Sequence, residues 1–304
     1  MKRPARDWLI GGVILVALVA WVHYRIGWGP LLAPWLAVPP LQLLYLFGVS
    51  LASYLCRGIR LYVYFPELLR GRLVATLRLS VLHNFANNLL PMRAGEAVFP
   101  LLMKRYFGHG YAASTLSLVW IRLLDLLVLG LVACAALWLA RPHWIWPVLA
   151  AAAVLALPVL YGLRGRLVSW LGGRDGKVAG LARQVLLAMP ADLGRLALVL
   201  LWTLLSWAAK FLAFTLVLLH FLDAELWQAW AGIIGAELSS VLPFHGVAGT
   251  GSYELAMVAA IVPTGIGADA ALRGAVNLHL FLLGVTLLLG PLGLLLPVRG
   301  RAAQ

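Results

Sequence analysis

Asn87-Asn88-Leu89-Leu90-Pro91-Met92-Arg93-Ala94-Gly95-Glu96 interrupts a stretch, residues 73–107, that is otherwise apolar enough to enter a membrane. Proline lacks the N–H that a helix interior needs, and the residue before it avoids helical geometry, so a helix arriving here stops. A second apolar stretch, 228–265, is broken in the same way by Pro243 and by glycines 246, 249 and 251. Neither break can face lipid, because unpaired backbone groups in hydrocarbon cost several kcal/mol each. Such breaks are tolerated only where they are buried in protein or line a wet cavity. Both stretches therefore read as re-entrant helical hairpins.

The rest of the chain sets those hairpins in a membrane. Of 304 residues, 63% are hydrophobic and 12% charged, against roughly 45–50% and about 25% in a soluble domain. The apolar residues come in runs of about 20 or more, the length that crosses hydrocarbon. Six runs qualify as full spans: about 8–24, 36–56, 113–140, 144–162, 196–222 and 271–297. Residues 1–304 then form a single membrane domain, since no polar stretch is long enough for a separate soluble one. The first span follows Met1 to Arg6 like a signal peptide, but it runs to about Val22 without a small-residue cleavage site and reads as retained. Cys56 and Cys134 lie in apolar runs and suggest no disulfide, zinc site or redox motif.

The net charge of +13 does not point to nucleic acid, because the basic residues sit in short clusters between apolar runs rather than on one aromatic-basic face. They orient the spans instead. With the N-terminus in the cytoplasm and both hairpins returning to the side they entered, the cytoplasmic segments are 1–7, 57–112, 163–195 and 298–304. These hold 19 of the 24 Lys and Arg. Arg122 and Lys210 lie inside spans, and Arg25, Arg141 and Arg273 fall outside. Making 73–92 a full span would move Arg93, Lys104 and Arg105 outside and weaken this bias.

The order span, hairpin, span occurs twice, at 36–140 and, in the opposite orientation, at 196–297. Asn-Asn-Leu-Leu-Pro at 87–91 answers Ser-Ser-Val-Leu-Pro at 239–243, and each is followed by glycine and then glutamate, Glu96 or Glu254. Inverted repeats with paired broken helices mark transporter folds, with the site where the breaks meet. The fold class expected is all-α and polytopic, with about six transmembrane helices and two opposed re-entrant hairpins.

The 87–96 stretch, with Arg122-Leu123-Leu124-Asp125 and the later run from Pro243 through Gly249-Thr250-Gly251 to Glu254, resembles the flippase-like membrane domain of lysylphosphatidylglycerol synthases, in its stand-alone members. The resemblance covers essentially the whole chain, and its Pro-x-Arg-x-Gly-Glu element is fairly specific. Two positions depart from the family pattern: Ile121, where an acidic residue is common, and Phe244-His245-Gly246, where a Pro-Gly-Gly run is usual. What the resemblance implies is translocation of a lipid with a polar head, such as an aminoacylated phospholipid or a polyprenyl-linked sugar, across a bacterial cytoplasmic membrane. A stand-alone member would not synthesise its own substrate. No cofactor is expected, both termini are placed in the cytoplasm, and a homodimer is compatible with the reading.

Ionisable residues at membrane depth cost at least about 2.5–3.5 kcal/mol each and so invite functional readings. Arg93 can hold a phosphate through its planar donor fork, with Glu96 orienting it or binding an amino group; alternatively the two close the hairpin tip as an ion pair. Asn87 and Asn88 could bind a head group or cap broken backbone. Gly249 and Gly251, like Gly246, free backbone N–H groups for an anion, or simply make a turn. Arg122 and Asp125, three apart on one helix face, read as a self-neutralising pair. Lys210 has no acidic residue within one turn and needs a partner from another helix, with Glu237 and Glu254 as candidates; it could attract an anion. His83 and His245 flank the breaks and could carry protons or be structural. No metal-type ligand cluster accompanies them. The basic segment 57–78 reads chiefly as a topology anchor, and could also attract anionic lipids at the cytoplasmic face. Trp28, Trp35, Trp144, Trp146 and Trp227 fall at span ends, as interfacial belts require.

The function expected is a lipid flippase. An intramembrane lipid-modifying enzyme using Glu96, His83 or His245 is the alternative, although no Ser-His-Asp order or nucleotide loop supports it. An ion-coupled carrier of a small anion is the third reading.

Overall fold

The computed structural model describes residues 27–90, 95–239 and 247–298, with a few isolated positions before Gly27. The expected first span, 8–24, lies almost wholly outside them, as do Pro91 to Ala94 and residues 240–246. The described chain is helical, with no strand. Its helices are α1 (Trp28–Leu36), α2 (Pro40–Tyr64), α3 (Pro66–Leu69), α4 (Leu73–Leu89), α5 (Val98–Phe107), α6 (Tyr111–Ala140), α7 (Ile145–Gly172), α8 (Lys177–Leu187), α9 (Leu193–Phe221), α10 (Leu226–Ser239), α11 (Ser252–Ile261) and α12 (Ala268–Leu295). Five of them, α2, α6, α7, α9 and α12, are long and apolar enough to cross a membrane. At 1.5 Å per residue, the 25 residues of the shortest reach about 37 Å, beyond the ~30 Å hydrocarbon core.

The spans expected at 36–56 and 144–162 both run on, to Tyr64 and Gly172. In α2 the expected stop at Arg57 is absent because Arg60 is accommodated inside the protein, only 4% exposed. The helix ends instead before Pro66, where the next N–H is missing. Helix α7 is the opposite case, with none of its residues buried. It packs against α6 and α8 without burying any residue fully, and an apolar helix so exposed is at home against lipid tails.

Both stretches read as broken are broken where expected. Helix α4 stops at Leu89 before Pro91, and α5 starts at Val98. Helix α10 stops at Ser239, and a 3-10 turn at Val247–Gly249 leads to α11. The second pair closes as an antiparallel hairpin on glycines. A Cβ on Gly232 would lie 2.6 Å from Ile261 Cγ1 and 3.2 Å from Met257 Cγ, and one on Gly235 would lie 2.8 Å from the Ala256 carbonyl oxygen. The hairpin backbones approach closely because those side chains are missing, the usual device where apolar surroundings give helices no hydrophobic drive to associate.

By internal packing the chain divides into two compact units, with α2, α4 and α9 contributing to both. The first holds the described residues of 1–54, 81–98 and 208–296: α1, the start of α2, the end of α4, the first turn of the returning chain, the end of α9, the second hairpin and α12. The second holds those of 55–80, 99–207 and 297–298.

In the first unit α12 is the shared support. Leu31 of α1 is fully buried against Leu272 and Val276. Trp35, at the end of α1, donates its indole N–H to Asn277 Oδ1 at 2.6 Å and packs on Phe221 and Phe281. A polar Asn in an apolar span requires partners: Trp35 serves its oxygen, and its NH2 donates to the Arg273 carbonyl at 3.0 Å. Further along α12, Gly290 and Gly293 receive α4. A Cβ on Gly290 would enter the Phe85 ring, and one on Gly293 would lie 2.6 Å from Val81 Cγ1. As numbers rise along α12 they fall along α4, so the two run antiparallel.

Candidate functional site

The first break folds back on the end of its own helix. A Cβ on Gly95 would overlap the Asn87 side chain and the backbone of Ala86 and Asn87, so only glycine lets the chain return here. That return carries Glu96 to Asn87, whose Nδ2 lies 3.3 Å from Glu96 Oε1 and 3.0 Å from His83 Nε2. His83 Nε2 is 3.5 Å from the other Glu96 oxygen. Asn88 points the other way and donates to Thr286 Oγ1 on α12 at 2.8 Å, with Tyr54 Oη at 3.4 Å.

The second break is built from a turn and a carboxylate. Ala248 has φ 55°, the one positive-φ residue other than glycine among the described residues, and Gly249 and Gly251 follow at 77° and 86°. Glycine adopts that region freely, whereas alanine is strained in it. Gly251 N–H donates to Glu254 Oε2 at 2.7 Å, half of a capping box at the start of α11. Gly251 therefore spends its amide on the protein's own carboxylate. Glu254 Oε1 lies 2.6 Å from His279 Nδ1 on α12, and His279 Nε2 lies 2.9 Å from the carbonyl oxygen of Ala248. The two side chains are 2% and 3% exposed. Tyr253 stacks on the imidazole at 4.5 Å, and its buried hydroxyl has no hydrogen-bond partner among the described residues.

Lys210 on α9 donates to Glu237 Oε2 on α10 at 2.6 Å, so Glu237 is its partner and Glu254 is taken by His279. The pair is largely buried, at 16% and 10% exposure. Both breaks are thus tied to one helix: the second through His279, the first through Thr286. Seven residues separate them, about 10 Å along the α12 axis.

Arg122 and Asp125 belong to the second unit. They do pair, at 3.1 Å, but Asp125 is held more closely by Arg60 at 2.5 Å. It also accepts the Trp207 indole N–H at 2.9 Å, while Arg57 lies over the Trp207 ring at 5.5 Å. The isolated self-neutralising pair is therefore corrected to a cluster in which one carboxylate serves several guanidiniums. Arg60, assigned by sequence to a surface anchor, is buried because Asp125 gives it a counter-charge. Arg93 and His245 lie outside the described residues.

Sequence reasoning missed His279, Thr286, Asn277, Tyr253, Arg60 and Trp207. Three of these were detectable: Asn277, His279 and Thr286 are polar residues inside a run read as a plain span, and intramembrane polar groups ask for a role. Their partners, far away in sequence, were not.

All-helical architecture, several spans and charged groups buried within them define a polytopic membrane protein with a polar interior. The chain belongs to the family of the lysylphosphatidylglycerol synthase transmembrane region, whose model matches residues 8–290. That family is linked to lipid-related membrane function. No curated protein and no solved structure gave a significant match.

Proposed function

We propose that this protein is a lipid flippase, carrying a polar-headed lipid, phospho- or polyprenyl-linked, across the bacterial cytoplasmic membrane as one membrane domain with both termini in the cytoplasm. The observation that carries the reading is that two broken helices tie their polar ends to one helix, α12, about 10 Å apart. Broken helices converging on one place are how transporters make a site at membrane depth. The hairpins re-enter from opposite sides as an inverted repeat, and their alternate opening exposes the head group to each side while the acyl chains stay in lipid. Asn87, Asn88, Glu96 and the Lys210–Glu237 pair line the path, with Arg93 assigned the phosphate by its place in the sequence. In the second unit, the guanidiniums around Asp125 favour an anionic or zwitterionic lipid.

Reconstituted protein should move a headgroup-labelled phospholipid between leaflets, read as label that becomes inaccessible to an added quencher. Lys210→Met, which leaves Glu237 without its cation, should slow this at least tenfold. Wild-type protein that moves no lipid of any head group would overturn the reading.

A further inference from the structure

The hydrogen bonds around His279 fix how many protons it shares. Ala248 supplies a carbonyl oxygen, which can only accept, so Nε2 carries a hydrogen. Nδ1 faces a carboxylate oxygen at 2.6 Å, and two lone pairs cannot meet at that distance, so a second hydrogen lies between them. Whether that hydrogen sits on nitrogen or on oxygen, the pair is neutral overall. Losing it would leave a bare negative charge where both side chains are at most 3% exposed, which burial strongly opposes. Gaining a third proton would bury a net positive charge, which is opposed in the same way unless the break opens and admits water. Each carboxylate oxygen keeps an open lone pair, and of the two Oε2 is the one that already accepts Gly251 N–H, at 2.7 Å. A proton arriving there competes with the amide that starts α11.

The pair therefore sits at a mechanical junction. One end holds the carbonyl of Ala248, the strained residue of the turn, and the other holds the first amide of the helix beyond it. A change in proton occupancy alters both grips at once. Among the described residues the groups facing it are few. Helix α11 brings Tyr253, stacked on the ring. Helix α10 brings Glu237, within electrostatic reach of Tyr253 and held by Lys210 of α9. Helix α4, packed farther along α12, brings His83 with Glu96 beside it. Helix α1 has no ionisable residue, and on α12 itself Arg273 and Asp269 lie six and ten residues away. None of these is within hydrogen-bond distance of the imidazole.

We propose that Glu254 and His279 form a proton-binding site whose occupancy is read by the break of the second hairpin, so that lipid movement is coupled to a transmembrane proton gradient. The coupling rests on the flippase reading above; the proton site does not.

Glu254→Gln tests it, because the amide keeps every bond without the titrating proton: its oxygen accepts Gly251 N–H, and its NH2 donates to Nδ1 while Nε2–H still reaches Ala248. In lipid nanodiscs, amide hydrogen exchange of a peptide covering residues 247–255, corrected for its intrinsic pH dependence, should accelerate as the wild-type protein is acidified. The limit for one linked proton is about tenfold per pH unit. E254Q should give a flat profile. A flat wild-type profile, or an E254Q profile that still follows pH, overturns the proton site; if E254Q does not fold, the wild-type profile alone decides. In proteoliposomes, an imposed pH gradient should change the rate of lipid movement by wild-type protein and not by E254Q. Wild-type lipid movement indifferent to the gradient overturns the coupling and leaves the flippase reading intact. No lipid movement, with the exchange profile as expected, overturns the flippase reading and keeps the proton site.

Discussion

Removing the carboxylate of Asp125 should destabilise the protein more than removing it together with Arg60. Asp125 is 5% exposed and Arg60 4%, with 2.5 Å between them. Asp125→Leu leaves the Arg60 guanidinium buried without its counter-charge, and breaking one side of a buried pair costs about 3–5 kcal/mol. It also removes the acceptor to which the Trp207 indole N–H donates at 2.9 Å. Arg122 loses less, since its side chain is 35% exposed and can turn away. At about 2–4 °C per kcal/mol for a chain of 150–250 residues, the single change should lower the melting temperature by on the order of 10 °C. The double change, Arg60→Leu with Asp125→Leu, removes both buried charges, and replacing a buried ion pair by apolar groups is often neutral. It should recover half or more of the loss. The assay is thermal unfolding of purified protein by intrinsic fluorescence, run as a double-mutant cycle. Losses that simply add, with the double variant worse than either single one, would refute the claim that Arg60 is buried because of Asp125.

Gly290→Ala places a methyl group inside the space of the Phe85 ring. It should cost about 1–3 kcal/mol by overpacking, and Phe85→Ala in the same chain should relieve it; thermal unfolding of the three variants checks this. At the surface, the Glu67 carboxyl is held below its ordinary value, first by a backbone hydrogen bond and then by Arg195, which it meets at 3.0 Å. A lowered carboxyl value means the stabilisation is complete above the unfolded value and disappears as pH falls through the folded one. Glu67→Gln should abolish that acid-side dependence and otherwise change the melting temperature very little, as exposed pairs do.

The lipid environment, the two broken stretches and their glycines were legible in the sequence because each follows from a local rule. A run of twenty apolar residues is long enough to cross hydrocarbon, proline stops a helix, and glycine turns the chain most freely. Those rules involve neighbours along the chain, so a break within 87–96 and another leading to Gly251 could be expected without knowing what lay beside them. The need of Lys210 for a carboxylate was legible too, since a buried cation requires a counter-charge, but the choice of Glu237 over Glu254 was not. Glu254 was already committed to His279, twenty-five residues on, and nothing local announces that. Arg60 looked like one of several cytoplasmic arginines until Asp125, sixty-five residues away, proved to hold it inside. Tertiary structure alone decided these partnerships, because a charge in a membrane takes the nearest complementary group in space, and spacing along the chain does not encode that distance.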